Sequence, residues 1–223
     1  MGYARSLLGA LCFMLLGFAA PAGATTVKVS ITGTWDSVVD NASVTNGSIT
    51  VGGAFQSTLI YDDATSDMNP SANIGEYDVP AASSDLNLVT GAYTFTLAAA
   101  SLVGIEVDNN NAGQDGVFVI AMNYSVTGPP LGASTGSGYA NPSLVDLTQT
   151  AHTSDHLIGL PWSISSYADR NFYFFIQVLG KGPNKYIELS GTITGLSLLP
   201  EPSTLALGAV AALLALARPR RSA

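Results

Sequence analysis

The segment with the most metal-binding potential is residues 108–116, which read DNNNAGQDG. Carboxylate and carbonyl oxygens are the ligands that Ca²⁺ prefers, so Asp108 and Asp115 are weak candidates for calcium ligands. The segment lacks the terminal Glu and the alternating acidic positions of an EF-hand loop. A turn that needs only the backbone geometry of Asn, Asp and Gly explains it equally well. We therefore expect no metal site and no cofactor, with calcium at this segment as the open alternative.

Two other patterns match fragments of catalytic motifs. His152 and His156 have the spacing of an HExxH zinc site, but Thr153 stands where that motif has Glu, so we expect a solvated loop. Residues 132–136, GASTG, match the letters of a nucleophile elbow, but they follow two prolines without the strand and helix that an elbow requires. We expect a flexible turn there. Carboxylate pairs for glycoside chemistry stay open, since they are distant in sequence, but the motifs assemble no catalytic residues and predict no enzyme.

Four aromatic residues lie in or near turn-rich segments, and they suggest a different kind of site: Tyr139, Trp162, Tyr167 and Tyr173. Exposed aromatic rings can stack on sugar rings, which is how many sandwich lectins bind polysaccharide. Core packing is the competing explanation, because aromatic side chains also fill the interiors of β-sandwiches. A carbohydrate-binding module is therefore the alternative function.

Composition excludes several function classes. Charged residues make up 11% of the 223-residue chain, against about 25% in an average globular protein. Residues 25–199 hold 15 acidic and four basic residues, so their net charge is about −11 and a nucleic-acid partner is not expected. The single cysteine, Cys12, excludes disulfide frameworks and cysteine zinc sites.

Period-2 alternation of apolar and polar residues predicts an all-β body over residues 25–199. The strands expected from it cover 27–35, 54–61, 92–97, 103–107, 117–122, 172–178 and 186–193. Short strands separated by turn clusters are typical of an antiparallel β-sandwich or jelly roll. The segments 31–35 and 189–195 share a central Gly-Thr and are candidates for paired first and last strands.

The N-terminus has the three parts of a secretory signal peptide. Arg5 supplies the positive charge, residues 7–20 are apolar, and 22–24 (AGA) form a small-residue cleavage site. We expect cleavage between Ala24 and Thr25, which would also remove Cys12.

The C-terminus has a second three-part pattern over residues 200–223. The motif Pro200, Glu201, Pro202, Ser203 and Thr204 precedes an uncharged run, 205–217, and a basic cluster closes the chain with Arg218, Arg220 and Arg221. The run and its flanks, at about 15 residues, predict a single short transmembrane helix of about 22 Å. The terminal arginines predict a cytoplasmic end by the positive-inside rule.

This C-terminal pattern resembles the PEP-CTERM sorting signal of exported proteins in Gram-negative bacteria that make exopolysaccharide. The resemblance implies recognition by an exosortase, a membrane-embedded cysteine transpeptidase, and cleavage near the motif. The protein would then be anchored in the inner membrane before processing, and afterwards lie at the cell surface or in the extracellular matrix of a biofilm. We expect a non-enzymatic, exopolysaccharide-associated secreted protein, with exosortase as its processing partner.

Overall fold

The computed structural model describes residues 25–41, 43–97, 101–128, 132–178 and 185–199. The predicted signal peptide (1–24) and the predicted sorting signal (200–223) lie outside the described residues. Among the residues that are described, no helix is long and apolar enough to cross a membrane.

The described chain is built almost entirely from antiparallel strands, and one 3-10 turn, Ile164–Ser166, lies before the tenth strand. The strands are β1 (Thr26–Asp40), β2 (Ala54–Asp62), β3 (Ile74–Val79), β4 (Asp85–Thr90), β5 (Tyr93–Leu97), β6 (Val103–Asn111), β7 (Gln114–Met122), β8 (Tyr124–Gly128), β9 (Gly132–Asp146), β10 (Asp169–Val178) and β11 (Tyr186–Leu198). The predicted all-β, antiparallel class is confirmed.

All eleven strands join one hydrogen-bonded sheet in the order β10-β11-β1-β2-β4-β5-β8-β9-β7-β6-β3. The sheet curls until β10 also pairs with β9. Eight strands therefore form a closed ring, and β7, β6 and β3 extend from the C-terminal part of β9. The sequence predicts two separate sheets, whereas the hydrogen bonds connect the strands into one curled sheet around one apolar core.

The two Gly-Thr segments lie side by side, as the sequence predicts. Gly191 of β11 faces Trp35 of β1, and Gly33 of β1 faces Phe55 of β2. Because neither glycine has a side chain, the rings of Trp35 and Phe55 pack over the two glycines, and the centroids of the two rings are 4.3 Å apart. Phe172 completes the cluster, 4.9 Å from Phe55. The pairing of the first and last strands is therefore fixed by complementary side-chain size.

The turn predicted at 132–136 is wrong, because these residues begin β9 and pair with β8. Gly136, Gly138 and Pro142 make the sequence of β9 resemble a loop. The segment is a strand because it has partners at both edges, β10 along one and β8 and β7 along the other. Its ladder with β7 skips Pro142, which has no N–H to donate.

Candidate functional site

Aromatic side chains cover part of the outer face of the sheet. Strand β10 alternates strictly, so that Phe172 and Phe174 point into the core while Tyr173 and Phe175 point outward. Tyr139 of β9 and Tyr186 of β11 lie on the same outer face, and Tyr139 is 37% exposed. We call Tyr139, Tyr173, Phe175 and Tyr186 the aromatic face.

The four rings contact one another in a continuous series. The ring of Tyr139 stacks against Tyr173 with centroids 5.5 Å apart and lies 6.1 Å from Phe175. The ring of Phe175 lies 5.5 Å from that of Tyr186. These separations are typical of favourable aromatic pairs, so the rings form one surface instead of four isolated side chains.

The strand register places five residues at the centre of this surface in a row that crosses the strands at right angles. Met122 of β7 faces Tyr139, Tyr139 faces Phe175, and Phe175 faces Glu188 of β11. Val39 of β1 faces Glu188 and ends the row. Met122 is 52% exposed. We call Met122, Tyr139, Phe175, Glu188 and Val39 the cross-strand row.

Hydrogen bonds hold the polar groups at this surface. The Tyr173 hydroxyl donates to Glu188 Oε1 at 3.0 Å. Burial raises the pKa of Tyr173 well above its usual range, and the bonds to Glu188 and Tyr139 raise it further, so the hydroxyl stays protonated and donating. The hydroxyl of Thr192 donates to Asp36 Oδ2 at 2.7 Å beside the same face. The surface thus combines apolar rings with hydrogen-bonding groups.

The aromatic residues singled out from the sequence divide into two groups. Tyr139 and Tyr173 lie on the outer face, on strands instead of turns. Trp162 and Tyr167 are buried in the core, where Trp162 Nε1 donates to the Tyr61 hydroxyl at 3.0 Å. Sequence reasoning missed Phe175 and Tyr186 as surface residues. The alternation was visible, but both faces of β10 carry aromatic residues, so the pattern alone does not tell which face is buried.

The calcium candidates have their oxygens engaged by the protein itself. Both carboxylate oxygens of Asp115 accept backbone N–H groups, from Asn110 and from His152, each at 2.8 Å. Asp108 Oδ1 accepts the side-chain amide of Asn111 at 3.1 Å. Within the described ranges, no group of three or more His, Cys, Asp or Glu residues is arranged to hold a metal. Residues 108–111 end β6 and 114–116 begin β7, so the turn expected over 108–116 is confined to residues 112–113.

The two histidines have different environments. His152 is buried, contrary to the predicted solvated loop, and its Nε2 lies 3.0 Å from the Tyr167 hydroxyl. Burial lowers the pKa of His152, although the charges of nearby aspartates, Asp115 first, oppose the shift. His156 is exposed, and its Nδ1 lies 3.9 Å from Asp155 Oδ1. Within the described residues, the two histidines belong to no group of three or more potential metal ligands.

A groove of about 310 Å³ lies beside the aromatic face, on the outer side of β3, β6 and β7. Glu76 and Glu106 face each other across β3 and β6 in its lining. Burial raises the pKa of Glu106, and the charges of Asp108 and Glu76 raise it further. Asn141 of β9 joins this groove to the aromatic face. The neighbouring surface is therefore acidic.

The sorting motif 200–204, the basic residues Arg218, Arg220 and Arg221, and Ala24 of the cleavage site lie outside the described residues. Thr25 is described, and its hydroxyl donates to Asp63. Compared with protein-family models, with curated proteins and with solved structures, the chain gives no significant match.

Proposed function

We propose that this chain is an exported, non-catalytic protein that associates with extracellular polysaccharide through the aromatic face. The observation that carries this proposal is the contiguous outward surface of Tyr139, Tyr173, Phe175 and Tyr186. Tyr139 is exposed and the other three rings are half-buried on the same outer face. Clusters of apolar side chains at a protein surface mark interaction sites.

Polysaccharide fits this surface chemically. Each pyranose ring has an apolar C–H face that packs on an aromatic ring, and hydroxyl groups at its edge that need hydrogen-bond partners. The tyrosine hydroxyls, Glu188 and Thr192 supply such partners around the rings. The outer face is open, as binding along a long polymer requires. The aromatic rings and these hydrogen-bonding groups are sufficient for binding without catalysis.

Export and sorting form the second part of the proposal, and the sequence of the termini supports them. Residues 1–24 act as a signal peptide, 25–199 form the extracellular β-sandwich-like body, and 200–223 act as the exosortase signal with its transmembrane helix. The body has a net charge of about −11 and no cysteine, which suits a secreted protein that folds without disulfides.

Binding is tested by co-sedimentation of the protein with the producing organism's purified extracellular polysaccharide. The wild type should sediment with the polymer, and the double variant Tyr139→Ala, Phe175→Ala should stay in the supernatant. Val89→Ala is the matched control, because Val89 is 43% exposed on β4, on the opposite side of the ring. Equal sedimentation of the wild type and the double variant would contradict the proposal.

Export is tested by mass spectrometry of the protein isolated from its producing cells. We expect an N-terminus at Thr25 and a C-terminus near the 200–204 motif. A chain that still ends in Ala223 in the extracellular fraction would contradict processing by an exosortase.

A further inference from the structure

The cross-strand row defines the direction of the proposed binding surface. Its five residues lie on β7, β9, β10, β11 and β1, which are consecutive neighbours in the sheet. Four strand spacings of about 4.8 Å make the row about 19 Å long. Its apolar members, Met122, Tyr139, Phe175 and Val39, are interrupted only by Glu188. A bound polymer that contacts the whole row therefore runs across the strands.

Negative charge lies within and beside this row. Glu188 stands between Phe175 and Val39, and only one of its oxygens accepts the Tyr173 hydroxyl. Asp36 lies on the neighbouring part of β1, where Thr192 bonds it. At the other end, Glu76 and Glu106 line the adjoining groove. Glu188 is thus the carboxylate within the row, while Asp36 lies three residues from Val39 and Glu106 lies level with Phe118, four residues from Met122.

The described basic residues do not balance these carboxylates. Lys28 lies eleven residues before Val39 on β1, about 35 Å away along the strand. Arg170 lies in the inward-facing register of β10, and its Nε is buried. Lys185 is the nearest cation, and its Nζ donates to the Asn41 carbonyl at 2.9 Å. Lys185 directly precedes Tyr186 and keeps its positive charge, so among the described residues around the row carboxylates outnumber cations without excluding them.

We infer that the aromatic face selects neutral polysaccharide, bound across the strands along the cross-strand row, and that Glu188 rejects uronic-acid polymers. This inference rests on the proposed polysaccharide binding. Glu188 has two effects: it positions Tyr173 through the hydrogen bond and it repels a carboxylate on a passing sugar. The isosteric Glu188→Gln variant separates the two, because an amide oxygen still accepts the Tyr173 hydroxyl but carries no charge.

The experiment measures the affinity of the full-length chain for a soluble neutral β-glucan and for the same glucan oxidised at C6 to the uronate. These probes share a backbone and differ only in charge. At low ionic strength the neutral polymer should bind more tightly, by about threefold for one repelling carboxylate ~7 Å away in water and more where several act. The preference should shrink as salt is added.

The variants decide the role of Glu188. Glu188→Gln should reduce the ratio of the affinity for the neutral glucan to that for the oxidised glucan by about threefold, whatever its effect on the affinity for the neutral glucan alone. Asp85→Asn on β4 removes a charge from the opposite side of the ring and should change neither value. A preference that persists unchanged in Glu188→Gln would overturn the role given to Glu188.

The outcomes also separate this inference from the proposed function. Equal or tighter binding of the oxidised glucan by the wild type would overturn the selection of neutral polymers, while polysaccharide binding itself would stand. Failure of the wild type to bind any probe, together with failure to co-sediment with the organism's own polysaccharide, would overturn both.

Discussion

Gly191→Ala tests the packing between the first and last strands. A Cβ at Gly191 would lie 2.9 Å from Trp35 Cε3 and 3.1 Å from Phe55 Cε1, and it would also press against the Thr34 carbonyl oxygen. Both aromatic side chains are buried and stacked on each other, so neither can move without disturbing the core. Overpacking of this kind costs about 3 kcal/mol at the upper end of its usual range.

The intrinsic preference for Ala over Gly in a strand offsets about 0.5–1 kcal/mol of that cost. We therefore expect the free energy of unfolding to fall by about 2 kcal/mol. In thermal unfolding this corresponds to a decrease in Tm of about 4–8 °C for a body of this size. Urea denaturation followed by tryptophan fluorescence measures the change directly, since Trp35 itself lies at the contact.

Gly104→Ala is the matched control for this substitution. The nearest neighbour of the added Cβ would be the Ile120 Cγ2 methyl at 3.1 Å, on a side chain that is 39% exposed and so not packed on every side. We expect a change below about 0.5 kcal/mol in this variant. If Gly191→Ala proved as stable as the wild type, or indistinguishable from Gly104→Ala, the close packing of Trp35 and Phe55 over the glycines would be refuted.

Three further predictions concern pH and the chain terminus. Because burial lowers the pKa of His152, the folded state binds fewer protons than the unfolded state, and the contribution of His152 to the free energy of unfolding is fully present above about pH 6.5 and falls below it by at most about 1.4 kcal/mol per pH unit. His152→Gln should flatten this slope in urea titrations at pH 5–7, and an unchanged slope would contradict the lowered pKa of His152. Hydrogen bonds from Thr150 and Thr148 lower the pKa of Asp146, so the carboxylate stabilises the fold above its ordinary pKa of about 3.9 and loses this effect as the pH falls. Asp146→Asn should therefore lower the free energy of unfolding by about 2 kcal/mol at pH 7 and by much less below about pH 3. Denaturant titrations that give the same loss at both pH values would refute the lowered pKa. Removal of residues 200–223 should leave the Tm of the body unchanged in calorimetry, whereas unfolding or aggregation would show that the tail belongs to the core.

The strands predicted from the sequence are apolar-rich segments, most of which alternate with polar residues. Residues 172–178 and 186–193 are strands in both the sequence interpretation and the structure, because one face of each is continuously apolar. The paired segments were recognisable because each has a central Gly-Thr, and the structure pairs them. Alternation of apolar and polar residues indicates that one face of a strand is buried. It therefore predicts where strands lie but not which strands pair with each other.

Strands β3, β4, β8 and β9 were not predicted, although apolar and polar residues alternate in β4. Strand β9 carries glycines and Pro142, and its strand conformation depends on partners distant in sequence. The same long-range pairing assembles the aromatic face, since Tyr139 is 36 residues from Phe175 and meets it only through the β9–β10 pairing. A site made of single residues from several strands leaves no local motif.

The most direct test of polysaccharide binding by the aromatic face is an NMR titration that follows the aromatic ring resonances while a neutral oligosaccharide is added. We predict that the ring signals of Tyr139, Tyr173, Phe175 and Tyr186 shift together with one dissociation constant. The indole signals of the buried Trp35 and Trp162 should stay in place. Binding that shifts other residues while these four rings stay unchanged would contradict polysaccharide binding at the aromatic face.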